Sequence, residues 1–212
     1  GLPQQEEFPY FREFWLKKPP AGASSFEVFA LLDSESLTGA YHFTLTPGSE
    51  SQMDLRAKLY TRAAVEKLGI APITSMFFYG ENTTRPVDDL RPEVHDSDGM
   101  LLATGPGEWI WRPLANRDEL QISSFADENP RGFGLMQRDR DSRSYQDLDL
   151  NYERRPSVWV EPRSPWGKGV AQLIEIPSDS ERYDNIGLFW VPERPVEPGQ
   201  VWPFAYRLRF AS

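Results

Sequence analysis

Apolar residues recur along most of this chain with a period of two. The clearest run is 52–61, where Met53, Leu55, Ala57 and Leu59 fall on one face and Asp54, Arg56 and Lys58 on the other. That period belongs to a strand, and the polar opposite face marks a strand buried on one side only. Residues 25–33 and 37–46 read as further strands, the second closed by the turn pair Pro47-Gly48. The segments 73–79, 100–103, 108–114, 119–125, 132–137, 157–161, 169–176, 186–191 and 201–210 continue the series. Short strands with frequent turn signals predict an all-β sandwich or barrel.

Four stretches break the rhythm. Residues 8–18 are aromatic-rich and read as a short helix or an irregular segment. Residues 62–68 suggest a helical turn that Gly69 would stop. Residues 138–155 are highly charged and read as a loop with one short helix. Residues 80–99 read as a long polar loop. Loops beyond about 12–15 residues in compact domains are usually functional or disordered.

Composition narrows the class. A chain of 212 residues makes one large domain or at most two small ones, and can bury a core without covalent staples. With 39% hydrophobic and 26% charged residues it is neither disordered nor membrane-embedded. No apolar run approaches the roughly 18–20 residues of a spanning helix. Aromatic residues make up 13%, and 15 glycines with 19 prolines supply abundant turns. The net charge of −9 argues against a nucleic-acid partner and against docking on an acidic lipid surface. The absence of cysteine excludes disulfides, thiol catalysis and cysteine-bound metals. His42 and His95 are the only histidines, so a multi-histidine metal site is excluded and any Ser-His-acid triad must use one of them. Arginine outnumbers lysine 18 to 5, which suits fixed polar networks. Gly1-Leu2-Pro3 does not open a secretory signal, so the expectation is a processed chain or a piece of a longer one.

Candidate chemistry concentrates in two loops. Arg91-Pro92-Glu93-Val94-His95-Asp96-Ser97-Asp98-Gly99 gathers carboxylates and a histidine before a strand. Either it is an acid/base or sugar-binding site, or its aspartates cap turn amides. Glu181-Arg182-Tyr183-Asp184-Asn185 stands before the apolar strand at 186 and reads as a second acidic site or an ordinary turn. Asp147-Leu148-Asp149-Leu150-Asn151 opens like a calcium loop, but Tyr152 stands where glycine is required and Val158 where the bidentate Glu belongs. No metal site is expected. Nucleophile-elbow, P-loop and dinucleotide-binding patterns are absent. Tyr79, Trp109, Trp111, Trp166 and Trp190 are the aromatics that either cover the C–H faces of sugar rings or fill the core; Trp109 and Trp111 share one strand face.

A string of motifs resembles a known family. It runs through Phe8-Pro9, Phe11-Arg12-Glu13-Phe14-Trp15, Thr38-Gly39-Ala40-Tyr41, Ala71-Pro72-Ile73-Thr74-Ser75-Met76-Phe77 and the Arg91 loop. It continues in Gly107-Glu108-Trp109-Ile110-Trp111-Arg112-Pro113-Leu114 and Gly132-Phe133-Gly134-Leu135-Met136-Gln137-Arg138. Arg155-Pro156-Ser157, Trp166-Gly167-Lys168-Gly169 and Glu175-Ile176-Pro177 complete it. The order and spacing resemble the periplasmic glucan biosynthesis proteins of the G and D types (MdoG/OpgG and OpgD). The resemblance implies a galactose-mutarotase-like large β-sandwich, or supersandwich. Residues 1–212 would form a single domain, the second half of that sandwich. A β-rich segment would precede it in the whole protein, and an immunoglobulin-like domain would follow.

The resemblance further implies a periplasmic protein of osmoregulated glucan biosynthesis, with β-1,2-linked glucan as partner and no cofactor. Some members resemble inverting β-1,2-glucanases. In that reading Asp184 is the general acid and Asp96 lies on the water-activating side, the division of labour that inversion needs. Expected substrate contacts are His95, Tyr79, Trp109, Trp111, Trp166, Arg112 and Arg138. Glu175 and Glu108 are reserve carboxylates. The family pattern often has Asn where this chain has Asp98, which sets an added negative charge beside Asp96. Two other readings stand beside hydrolysis. One is a non-catalytic glucan-binding or assembly module. The other, by fold analogy, is a sugar mutarotase or epimerase using His95 and a carboxylate as acid and base.

Overall fold

The structure is a computed structural model and describes residues 6–83 and 88–212. Residues 1–3, read above for a signal, and part of the 80–99 loop lie outside that description. The fifteen strands are β1 Tyr10–Lys17, β2 Phe26–Asp33, β3 Leu37–Thr46, β4 Glu50–Thr61, β5 Ile70–Ser75, β6 Phe77–Tyr79, β7 Val94–His95, β8 Gly99–Ala103, β9 Trp109–Pro113, β10 Gln121–Glu128, β11 Gly132–Met136, β12 Ser157–Pro162, β13 Lys168–Glu175, β14 Ile186–Pro192 and β15 Val201–Ala211. Among the described residues, helix is confined to α1 Ser142–Tyr145 and a 3₁₀ turn at Tyr152–Arg154. The all-β expectation is borne out.

Period-two burial sorts the strands into layers. A nine-stranded antiparallel sheet runs β1-β2-β3-β4-β15-β12-β11-β8-β9, and a four-stranded one runs β10-β13-β14-β5. Leu55, Ala57 and Leu59 of β4, Trp202, Phe204 and Tyr206 of β15, and Phe133 and Leu135 of β11 point inward from the large sheet. They share one buried cluster with Ala171, Leu173, Leu188 and Trp190 of the small sheet. This is sandwich packing, with each fully buried aliphatic side chain contributing about 1.5–3 kcal/mol. A third, two-stranded sheet pairs β6 with β7 and carries its own cluster of Met76, Phe78, Tyr79, Val94, Tyr145 and Tyr152.

Three expectations change. Residues 10–17 are a strand, not a helix: β1 pairs with β2 from Tyr10↔Asp33 to Lys17↔Glu27, with a bulge between Phe11 and Glu13. Pairing along a whole edge, with aromatic side chains that suit a pleated surface, outweighs weak helical periodicity. Residues 62–68 form no helix; Val65 instead makes an isolated bridge to Val196. The run 73–79 divides at Met76, its first part entering the four-stranded sheet and its second pairing with β7. The charged segment 138–155 does hold a short helix, capped by Asp141, whose carboxylate accepts from the Arg143 amide.

Candidate active site

The break at Met76 creates the site. Upstream, β5 pairs with β14 in the register Ile186↔Ser75 and Gly187↔Thr74. Asp184 stands just before β14, and the Thr74 hydroxyl of β5 donates to its Oδ2 at 2.8 Å. Downstream, β6 pairs with β7, and the Asp96 amide donates to the Met76 carbonyl at 2.8 Å. Asp96 and Asp184 are therefore fastened to the same short turn from its two sides.

Asn185 locks the turn. Its Oδ1 accepts from the Phe77 amide at 2.8 Å, and its Nδ2 donates to the carbonyls of Phe77 and Ile176 at 2.9 and 3.1 Å. These bonds satisfy backbone groups that the change of sheet would leave unpaired. Beneath the turn the hydroxyls of Ser75 and Ser97 lie 2.5 Å apart. The loop carrying Asp184 is further tethered through Glu181, whose Oε2 lies 2.7 Å from Arg91 Nη2. Arg91 also binds Asp89 and Asp147 at 2.7 and 2.9 Å, joining three loops at one guanidinium. Hydrogen bonds from the Arg91 side chain, more than its charge, hold the Asp89 carboxyl well below the usual carboxylate range.

The two aspartates differ in setting. Asp184 is exposed; Asp96 is partly buried. Burial pushes the Asp96 carboxyl up, and the negative charge of Asp184 adds to the rise. The guanidinium of Arg155 and the charge of His95 oppose it. Arg155 Nε lies 3.0 Å from Asp96 Oδ1, an ion pair by distance, yet neither atom makes a hydrogen bond. The arrangement provides one carboxylate open to solvent and one partly withdrawn from it, within electrostatic reach of each other.

The remaining expected contacts divide. Arg138 Nε donates to Asp98 Oδ2 at 2.8 Å, and its guanidinium lies 4.0 Å over the Trp111 ring, so Arg138 and Trp111 adjoin the Asp96 loop. Trp111 covers Gly99 so closely that a Cβ there would stand 2.1 Å from the ring, which requires glycine at that position. Trp109 is 64% exposed and stacks on Trp159 at 5.9 Å.

The others are engaged within the protein. His95 is wholly buried, with Nδ1 2.8 Å from Gln137 Oε1 and Nε2 2.7 Å from Glu93 Oε2, so neither nitrogen is open to a sugar. Tyr79 is 1% exposed and its hydroxyl donates to the Arg91 carbonyl. Trp166 packs among Phe133, Trp190 and Tyr206, where it serves the core. Arg112 leaves β9 on the opposite face from Trp111 and donates to Glu175 Oε2 at 3.0 Å, tying the two sheets together. Glu175 is thereby a structural carboxylate, also accepting from the Ala115 amide. Among the described residues, the carboxylates of Glu81, Glu93 and Asp139 lie within 4.8 Å of one another, with Glu93 already bound to His95.

Arg91 and Asn185 lie in the two candidate loops without an expected role of their own, and Thr74 and Arg155 lie outside both. The excess of arginine over lysine foreshadows the two arginines, and nothing comparable marks Thr74.

The sequence model of one family, described as periplasmic glucan biosynthesis protein MdoG, matches residues 1–212. The chain belongs to this family. Among curated MdoG relatives, it is 53% identical over 208 residues to a probable glucans biosynthesis protein D of Shewanella oneidensis, covering 98% of this chain and 38% of that protein. It is equally 53% identical over 208 residues to a glucans biosynthesis protein G of Ralstonia nicotianae, covering 98% of this chain and 41% of that one. The chain thus spans about two fifths of the length of these relatives. A solved α-galactosidase from Geobacillus stearothermophilus, in complex with stachyose, aligns over 98% of this chain and 28% of its own, at 10% identity and a TM-score of 0.45; so remote a likeness carries no argument. Among the described residues, no helix is long and apolar enough to cross a membrane.

Proposed function

We propose that this chain is the catalytic part of a periplasmic protein that processes β-1,2-linked glucan by inverting hydrolysis. Asp184 protonates the departing glycosidic oxygen, and Asp96 activates the attacking water. The observation that carries the reading is the fastening of both aspartates to the 74–77 turn, close enough for the charge of Asp184 to act on Asp96. Inversion calls for two carboxyl groups on opposite faces of a sugar, one donating a proton and one accepting it. Asp184 is exposed and can reach a bound glycosidic oxygen, with Thr74 orienting its carboxyl. A rise in the Asp96 pKa makes its carboxylate a stronger base, and Arg155 keeps it in the ionised form. Arg138, stacked on Trp111 and bound to Asp98, sets an exposed guanidinium beside the same loop for the hydroxyls of a sugar.

The test is Asp184→Asn in the full-length protein, with new reducing ends counted on linear β-1,2-glucan. The expected loss is about 10²–10⁴-fold, the usual worth of a general acid. Undiminished cleavage removes the assignment.

One observation favours the glucan-binding module: the guanidinium of Arg155 at Asp96 Oδ1 occupies the base. Calorimetric binding of glucan by the unaltered protein without new reducing ends selects that reading. The mutarotase or epimerase reading requires a histidine nitrogen at the sugar, and both nitrogens of His95 are engaged inside the protein.

A further inference from the structure

The hydrogen-bond inventory around His95 fixes the positions of its protons. Gln137 Nε2 faces two carbonyl oxygens, those of His95 and Tyr152, each at 3.0 Å. Carbonyls only accept, so that end of the amide is the NH₂ and the other end is the oxygen. The oxygen is the atom 2.8 Å from His95 Nδ1, so Nδ1 carries a hydrogen and donates it. At the opposite edge of the ring, Nε2 lies 2.7 Å from Glu93 Oε2, a distance typical of a charge-assisted bond. With Glu93 ionised, Nε2 must donate as well.

The surroundings call for a positive charge. Glu93 is 5% exposed, and its carboxylate lies within 4.8 Å of those of Glu81 and Asp139. Asp96 follows His95 directly, and Asp98 is two residues further. Tyr145 of α1 meets the ring edge-on, Phe77 of β6 stacks on it, and Tyr152 packs against Tyr145. Burial, reinforced by the charges of Glu93 and Asp139, holds the Tyr145 phenol protonated, and Tyr152 is held likewise, so neither adds a charge. Of the neighbouring arginines, Arg140 turns toward the carbonyls of Glu153 and Arg155, and Arg155 toward Asp96. A carboxylate this withdrawn from water needs a partner of opposite sign at contact distance. His95 is the group in that position.

We propose that His95 is a resident imidazolium, protonated on both nitrogens and paired with Glu93, and that it is a positioning residue. It holds the 93–98 loop in place and keeps Asp96 a carboxylate from behind. Its charge lowers the Asp96 carboxyl, against the lift from burial and Asp184. The role in catalysis rests on the glucan-processing reading; the protonation state does not.

The experiment is nitrogen NMR on the full-length protein with ¹⁵N-labelled histidine, at about pH 8, where a free imidazole, titrating near about 6.5, is neutral. His95→Gln assigns the signals. Both His95 nitrogens are expected to show directly bonded protons, and Glu93→Gln is expected to strip the proton from Nε2, since a glutamine amide can donate to a bare nitrogen. A bare Nε2 in the unaltered protein overturns the proposal, as does an Nε2 proton that survives Glu93→Gln. The positioning role is read from the pH profile of glucan cleavage. In His95→Gln the acid limb is expected to move to higher pH, because Asp96 loses a nearby positive charge. A lower rate on an unmoved acid limb leaves His95 a purely structural residue. Should the unaltered protein cleave no glucan, the hydrolytic reading falls while the NMR result still decides the imidazolium.

Discussion

In the sandwich, the fully buried side chains are mostly purely apolar, Leu102, Phe133, Leu173 and Leu188 among them, although Trp190 beside them buries an indole nitrogen with no hydrogen-bond partner. Around β6 and β7 the buried set includes Glu93, His95, Gln137 and Asn185, whose polar groups are bound to one another or to backbone. The first region draws its stability from area removed from water, which is non-directional and forgiving of shape. The second depends on directional bonds, where removing one partner strands another in a dry interior. The same chain thus holds a tolerant scaffold and an intolerant hub, and the proposed chemistry sits on the hub. Each carboxylate is next in sequence to a buried polar anchor, His95 for Asp96 and Asn185 for Asp184.

The widest separation between the regions comes from Phe133→Ala. This ring is wholly buried between the sheets, and its loss is expected to cost about 3–5 kcal/mol in urea unfolding. Signals from the Asp96 loop should stay where they are in the folded fraction. A cost under about 1 kcal/mol is outside the range for a buried aromatic and would show that the ring does not anchor the core.

Asn185→Ala probes the hub and should cost less in stability, about 1–3 kcal/mol, for stranding the Phe77 amide and carbonyl. Unlike the core variant, it should disturb Thr74 and Asp184 in amide NMR spectra. Shifts spread evenly over both sheets would erase the distinction between scaffold and hub.

How far the sequence alone reached follows the same divide. The strand at 37–46 matches β3 to the residue, and the alternation in 52–61 correctly places Leu55, Ala57 and Leu59 inside. Such elements announce themselves because burial imposes a period of two on their own residues. The site does not. Asp184 meets Thr74, Asn185 meets Phe77 and His95 meets Gln137, partners distant in sequence that folding brings together. The family resemblance nominated Asp96 and Asp184, yet no local pattern could show that β5 and β6 part at Met76. His95 and Tyr79 suit a sugar site by residue type, but their burial is not legible in the local sequence. Edge strand β1 escaped recognition because every one of its residues is exposed, leaving no buried face to read.

The smallest effect is also the most direct. The carboxyl carbon of Asp96 can be titrated by NMR in the unaltered protein and in Asp184→Asn. A neighbouring negative charge disfavours ionisation, so replacing it with a neutral amide should lower the midpoint of Asp96. A midpoint that falls in the variant places the two carboxylates across one site. A midpoint that does not move means that they do not sense each other, and the paired-aspartate reading is then wrong.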